Sequence, residues 1–71
     1  MYNNLIAEIA RNHLKNKNIA EAVGISERAL KNKIKGVSEF YWREVVLIKT
    51  LFFPSLALEY LFEKGGGNNA A

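Results

Sequence analysis

The stretch IAEAVGISERALKNKIKG, residues 19–36, decides the fold because it places one glycine inside a helical pattern. In a helix interior, glycine costs roughly 1 kcal/mol relative to alanine. Gly24 instead lies between two helix-length segments about three residues apart, where a sharp turn needs the positive φ that glycine tolerates. Its apolar neighbours Val23 and Ile25 hold the two segments together. This is the layout of a helix-turn-helix, although a tight corner in any small helical bundle has the same pattern.

The ends of these two helices carry their own signals. Asn16 or Asn18 can begin the second helix of the chain, and Ser26 is a good N-cap for the third. The third helix then runs to about Lys35 and stops at Gly36, because glycine commonly ends helices in the left-handed conformation.

The remaining periodicity is also helical, so we predict an all-α fold, a compact domain of five helices. Asn3 or Asn4 caps the first helix. The fourth helix covers about residues 41–52 and ends ahead of Pro54, which disfavours helical backbone at the preceding residue. Ser55 then caps a short fifth helix, LALEYLFEK.

Composition restricts the domain count and the function classes. We place one helix-turn-helix domain at residues 1–64 and exclude the Gly/Asn/Ala tail, residues 65–71, as flexible by composition. The chain has no cysteine and no aspartate, and its one histidine, His13, reads as a partly buried surface residue. We therefore expect no metal, no cofactor and no enzymatic activity. Neither a signal peptide nor a membrane span is visible, so we expect a cytoplasmic protein.

Positive charge is concentrated around the third helix. Residues 24–38 hold four basic side chains and one acid, a net charge of +3 that equals the net charge of the whole chain. A basic cluster on one element is the electrostatic footprint of polyanion binding. Many charge runs, however, are only solvated surface.

A helical wheel at about 100° per residue separates two faces of the third helix. Leu30 and Ile34 lie within about 40° of each other and define the buried face. The opposite face, about 140–200° from Leu30, presents three polar side chains: Arg28, Asn32 and Lys35. The one acid of this helix, Glu27, lies in the first turn, where the helix dipole favours an anion.

These residue types suit the edges of base pairs. Arginine can donate two hydrogen bonds to guanine, and asparagine can pair with adenine through two hydrogen bonds. The small Ala29 lets a helix lie close to the bases, and the flanking Lys31 and Lys33 can reach phosphates. The pattern therefore favours a reader of double-stranded DNA over a solvated helix face.

The same stretch resembles the helix-turn-helix of the Cro/cI-like (lambda-repressor-like, or XRE) DNA-binding family. The resemblance rests on a small residue before the turn glycine, an apolar residue and a serine after it, a mid-helix aliphatic and a closing glycine: Ala20, Ile25, Ser26, Leu30 and Gly36. The downstream sequence EFYWREVVLIKTLFFPSLALEYLF is similar to a phage-associated subgroup with a Phe-rich, proline-interrupted fourth and fifth helix. The resemblance covers roughly residues 3–63.

The resemblance implies a third helix docked in the major groove and a second helix whose start rests on the DNA backbone. It assigns these residues to DNA: Asn16, Lys17, Ser26, Glu27, Arg28, Ala29, Lys31 and Asn32, with Lys33 and Lys35 on the backbone. The cap of the fourth helix falls on Tyr41, with Glu44 three residues later, or on an earlier start at Ser38.

The fourth and fifth helices hold more apolar residues than one core-facing stripe absorbs. We expect the surplus to form a homodimer contact, unless the short fifth helix alone covers it. The candidate interface residues are Trp42, Val46, Phe53 and Leu58.

Two functions from different classes follow. The first is a sequence-specific transcriptional regulator, a phage or prophage repressor of the Cro type that binds operator DNA as a dimer and blocks polymerase. The second is a protein-interaction module, such as an antitoxin or adaptor, that uses the apolar fourth and fifth helices. The basic third helix favours the first function, and the apolar surplus fits either.

Overall fold

The computed structural model describes residues 1–64, and the predicted flexible tail, residues 65–71, lies outside them. Five α-helices follow one another: α1 (Asn3–Arg11), α2 (Asn16–Val23), α3 (Glu27–Lys35), α4 (Trp42–Phe52) and α5 (Leu58–Leu61). Residues 1–64 contain no strand, so the prediction of an all-α domain with five helices is confirmed. None of the helices in this part of the chain has the length and apolar character needed to cross a bilayer.

The starts of α3 and α4 are set by short polar contacts. The Ser26 hydroxyl accepts a hydrogen bond from the Ala29 N–H at 3.0 Å, which confirms Ser26 as the N-cap of α3. At α4, the Glu44 carboxylate accepts one from the Tyr41 N–H at 2.9 Å, so the helix begins after Tyr41. The earlier start at Ser38 is therefore wrong.

The asparagine cap predicted for α1 is wrong, because both asparagines lie inside the helix and Tyr2 precedes it. Tyr2 is buried, and its N–H donates to the Ile34 carbonyl at 3.0 Å. Its ring meets Phe40 and Phe62 edge-to-face, with centroids 5.3 and 5.8 Å away. This aromatic packing fixes the entry of α1, and the Asn4 side chain instead donates to the Tyr60 carbonyl at 2.9 Å.

The predicted Ser55 cap is also wrong, because α5 begins only at Leu58 after Ala57. The residues after Pro54 form a turn in which the Leu56 N–H donates to the Phe53 carbonyl at 3.1 Å. α5 is consequently a single turn, held against α1 by the Tyr60 hydroxyl, which donates to the buried Glu8 carboxylate at 2.8 Å.

The turn between α2 and α3 has the glycine conformation expected from the sequence. Gly24 has φ +91°, in the left-handed region, and Gly36 at the end of α3 has φ +90°. The Ile25 N–H reaches back to the Ala20 carbonyl at 3.0 Å, which satisfies an end-of-helix carbonyl of α2. α2 and α3 therefore meet across three residues, and both bury their apolar faces in one core.

We expect Gly24→Val to lower the free energy of unfolding by about 1–3 kcal/mol. Beyond its chain neighbours, no heavy atom lies within 4 Å of the position a Cβ would take, so the loss is backbone strain alone. Gly24→Asn should lose clearly less, because asparagine tolerates the left-handed region better than a β-branched residue. Urea titrations of the three proteins compare these values, and equal stability of Gly24→Val and wild type would contradict the assignment.

Candidate nucleic-acid interface

The exposed face of α3 is the one that the helical wheel indicates. Leu30 and Ile34 are buried in the core. On the far side, Arg28 and Lys35 are exposed and Asn32 is half-buried. α3 therefore presents a guanidinium, an amide and an ammonium group on one outward face.

The first turn of α3 adds side chains of mixed character. Ala29 is half-buried, and Ser26 is exposed with its hydroxyl oxygen already occupied by the cap. Glu27 faces Lys31 at 3.5 Å, with both side chains about half exposed. An exposed i,i+4 pair of this kind contributes only about 0.3–0.5 kcal/mol, so Lys31 can exchange Glu27 for another anion at little cost.

The start of α2 lies beside the same face. Asn16 is the first residue of α2, half-buried, and Lys17 follows it in an exposed position. One surface hollow is lined by Asn16 together with Lys31 and Lys35 of α3. The structure thus brings one predicted contact of α2 beside two predicted contacts of α3, and no acid lies in the first turn of α2.

Lys33 departs from the prediction, because the structure places it away from this surface. The residue is 8% exposed, and its Nζ lies 2.8 Å from Glu44 Oε1. The same ammonium donates to the Glu39 carbonyl at 3.2 Å and lies 4.4 Å from the centroid of the Tyr41 ring. Its hydrogen-bonding capacity is used inside the protein, so the assignment of Lys33 to the DNA backbone is corrected to a structural role.

The surroundings of the partner carboxylate, Glu44, lower its pKa. Burial acts to raise the pKa of Glu44, but the hydrogen bonds from Lys33 and from the Tyr41 N–H outweigh it. Together with the attraction of Lys33 and Arg43, they hold the pKa of Glu44 below its ordinary value. Glu44 is therefore ionised at neutral pH, and its contact with Lys33 joins α3 to the start of α4.

Arg43 is a residue that the sequence reasoning missed. Its guanidinium donates to the Val23 carbonyl at 3.3 Å and so satisfies a carbonyl at the end of α2, beside Gly24. Two neighbouring side chains of α4 thus contact the ends of both preceding helices, Arg43 the end of α2 and Glu44 the end of α3. The position of Arg43 in the sequence, between Trp42 and Glu44, gave no sign that its side chain contacts α2.

The four dimer candidates fall into different environments. Trp42 is 69% exposed, and Val46, one turn later on α4, is also exposed. Phe53 is 3% exposed and belongs to the core, so its assignment to a dimer interface is wrong. Leu58 is half-buried at the start of α5.

His13 is exposed in the turn between α1 and α2, with φ +56°, and not partly buried as predicted. Within residues 1–64, no three side chains of histidine, cysteine, aspartate or glutamate form a group that could hold a metal ion.

Comparison of the chain with protein-family models, with curated proteins and with solved structures finds no match. The resemblance to the Cro/cI-like family therefore stays a prediction from the residues of the stretch 19–36. Functional assignment depends on the geometry of α3 and its surroundings.

Lys33→Met should lower the free energy of unfolding by about 3–5 kcal/mol, because it leaves the Glu44 carboxylate buried without its ammonium partner. Lys33→Met combined with Glu44→Leu should return close to wild-type stability, since an apolar pair of similar volume can replace a buried ion pair. Chemical unfolding of both single variants and the double variant completes a double-mutant cycle. Additive losses in that cycle would mean that the two side chains do not interact.

The same pair predicts an acid dependence of stability. Between the lowered pKa of folded Glu44 and its ordinary value of 4.5, the unfolded chain binds the proton more readily than the folded chain. The contribution of this group is complete above pH 4.5 and is lost as pH falls through the window below it. Glu44→Gln should flatten the curve of melting temperature against pH in that window, and a curve parallel to wild type would contradict the assignment.

Proposed function

We propose that this chain is a sequence-specific double-stranded DNA-binding transcriptional regulator, a helix-turn-helix repressor of the Cro/cI-like type. One observation carries the proposal: an outward face of α3 with Arg28, Asn32 and Lys35 follows directly after a three-residue turn closed by Gly24. A helix that only needed solubility would mix both charge signs on that face, whereas the acid of α3 lies in its first turn, paired with Lys31.

The chemistry of the face suits major-groove reading. Arg28 and Asn32 are four residues apart, so their Cβ atoms are about 5–6 Å from each other on one side of the helix. Arg28 can donate two hydrogen bonds to a guanine edge, and Asn32 can pair with the edge of an adenine. Half-buried Ala29 leaves room for the bases to approach α3.

Phosphate contacts come from the flanks of this face. Lys31 and Lys35 on α3 and Lys17 on α2 are exposed cations that can neutralise DNA phosphates. The N–H groups of Asn16 and Lys17, at the start of a helix without a side-chain cap, add donors for a phosphate oxygen. Such contacts set the position of α3 in the groove without reading the sequence.

A dimer completes the mechanism. Trp42 and Val46 lie on the outer side of α4, away from the core-facing Val45 and Ile48. Two copies joined there would present two α3 helices to half-sites one or more helical turns of DNA apart. Bound across a promoter, the dimer would occlude polymerase.

The second candidate function is a protein-interaction module such as an antitoxin or adaptor. The exposed Trp42 and Val46 favour it, since aromatic residues are enriched at protein interfaces. DNA binding depends on the outward face of α3, whereas a protein interaction through α4 does not.

Arg28→Ala and Asn32→Ala should each weaken binding to a duplex selected from a random pool by about 1–3 kcal/mol and relax discrimination at one or two base pairs. Lys35→Ala should weaken binding to all duplexes and reduce the salt slope by about one. Fluorescence anisotropy titrations at several salt concentrations measure both effects.

The matched control is the Lys33→Met/Glu44→Leu protein, which keeps the net charge and should keep the wild-type salt slope, because Lys33 is buried in its ion pair. A wild-type protein with no preference for any duplex over random DNA would overturn the repressor proposal in favour of the interaction module.

Trp42→Glu and Val46→Glu should weaken self-association, because each places a charge in the proposed dimer contact. Leu51→Glu is the matched control, since Leu51 is exposed about 180° around α4 from Trp42 and should not affect association. Sedimentation equilibrium at several protein concentrations, with and without the selected duplex, measures the change. A wild-type monomer in every condition would contradict the dimer.

A further inference from the structure

An apolar groove runs between α1 and α3, beside the candidate DNA surface. It consists of two adjoining hollows of about 330 and 380 Å³, which share the side chains of Ile6, Asn16 and Ile34. Ile6 is 38% exposed although its neighbour Leu5 is fully buried. The floor of the groove is thus hydrophobic surface that the rest of residues 1–64 does not cover.

The wall formed by α1 presents a continuous apolar row. Ile6, Ile9 and Ala10 follow one another at i, i+3 and i+4, and Leu14 extends the row beyond the helix end. Ile9 and Leu14 are only half-buried. A row of this kind fits the apolar face of a partner helix, which contacts a groove through residues at i, i+3, i+4 and i+7.

The shape favours a helix over a small molecule. Ligand pockets enclose most of the surface of a bound small molecule. Both hollows open to solvent along the protein surface, so a small molecule would remain largely hydrated. An amphipathic helix can cover both hollows and leave its polar side in water.

The charge at the groove selects the partner. Lys31 and Lys35 line the second hollow, and no acidic side chain is among the described residues that line either hollow. Lys31 has only the weak surface contact with Glu27 at 3.5 Å. A partner with acidic residues beside its apolar stripe would therefore be attracted, and a basic partner would be repelled.

We propose that this groove binds an acidic amphipathic helix of a partner protein, and that this partner and DNA exclude each other. Asn16, Lys31 and Lys35 line the groove and also belong to the candidate DNA surface, so one occupant removes contacts of the other. The exclusion rests on the proposed DNA-binding function, whereas the groove itself does not. The partner acts as an inhibitor that releases the regulator from its operator.

The test uses the full ¹⁵N-labelled chain and a synthetic peptide of about 14 residues, roughly 21 Å of helix, with leucines at i, i+3, i+4 and i+7 and glutamates beside them. We expect the peptide to shift the amide signals of Ile6, Lys31 and Ile34, and to displace a selected duplex in an anisotropy competition. A peptide with lysines in place of the glutamates should bind at least tenfold more weakly.

Ile6→Gln should weaken peptide binding about tenfold, because it replaces one apolar anchor of the floor without changing the charge. Its affinity for DNA should stay that of wild type, since Ile6 is not part of the DNA surface. Leu51→Gln is the matched control, an exposed leucine on α4 that should leave both affinities unchanged.

Three results would overturn the proposal: no shift at millimolar peptide, equal binding of the lysine peptide, or shifts confined to Trp42 and Val46. If the wild-type chain does not bind the peptide and Ile6→Gln loses self-association, the groove binds a second copy of the chain. That result would also overturn the proposal. If the peptide occupies the groove but leaves DNA bound, the exclusion is wrong. If it occupies the groove of a chain with no duplex preference, the DNA-binding function fails while the groove stands.

Discussion

The contact between Lys33 Nζ and Glu44 Oε1, 2.8 Å long and buried, ties the last turn of α3 to the start of α4. The same Glu44 oxygen accepts the Tyr41 N–H, and the same ammonium donates to the Glu39 carbonyl. One ion pair thus joins α3, the loop after it and the start of α4. A buried ion pair adds little net stability over apolar side chains of similar volume, but removing one partner strongly destabilises the fold. The pair lies on the same inward side of α3 as the buried Leu30 and Ile34, and the side opposite those two residues is left facing outward.

The helix ends that follow local rules could be predicted from the sequence. Ser26 caps α3 through its own hydroxyl, and Gly24 and Gly36 end α2 and α3 in the left-handed region. Each of these features depends only on residues within a few positions of the helix end. The N-caps of the first and last helices could not be predicted in this way, although both helices were expected from the pattern. At α1 the packing of Tyr2 against Phe40 and Phe62 prevails over the capping preference of asparagine, and such contacts between distant residues are invisible to a local pattern.

In the candidate site too, the local pattern could not predict positions that depend on contacts with another helix. On a wheel centred between Leu30 and Ile34, Lys31 and Lys33 lie about 80° to either side, so the sequence makes them equivalent. α4 packs on one side only, and Lys33 meets Glu44 while Lys31 stays in solvent. Phe53 was assigned to the wrong surface for a second reason, which is that the helix ends before it. An ideal wheel places it about 20° from Trp42, but α4 ends at Phe52, and the backbone at Phe53 (φ −136°, ψ 55°) leaves the helix and turns the ring into the core.

The burial of Lys33 also bears on how strongly one copy can hold DNA. The outward side of α3 retains three cations, Arg28, Lys31 and Lys35. A single small module buries about 600–1,000 Å² on DNA, whereas specific operator complexes reach about 10⁻⁸–10⁻¹¹ M. Under the proposed function, these three cations and Lys17 of α2, on so small a surface, would leave one copy short of that range. Joining two copies makes the second binding event intramolecular and adds its contacts without a new recognition surface. Under the proposed function, the exposed Trp42 on α4 and the polar face of α3 would therefore serve one requirement, the binding of a dimer to DNA.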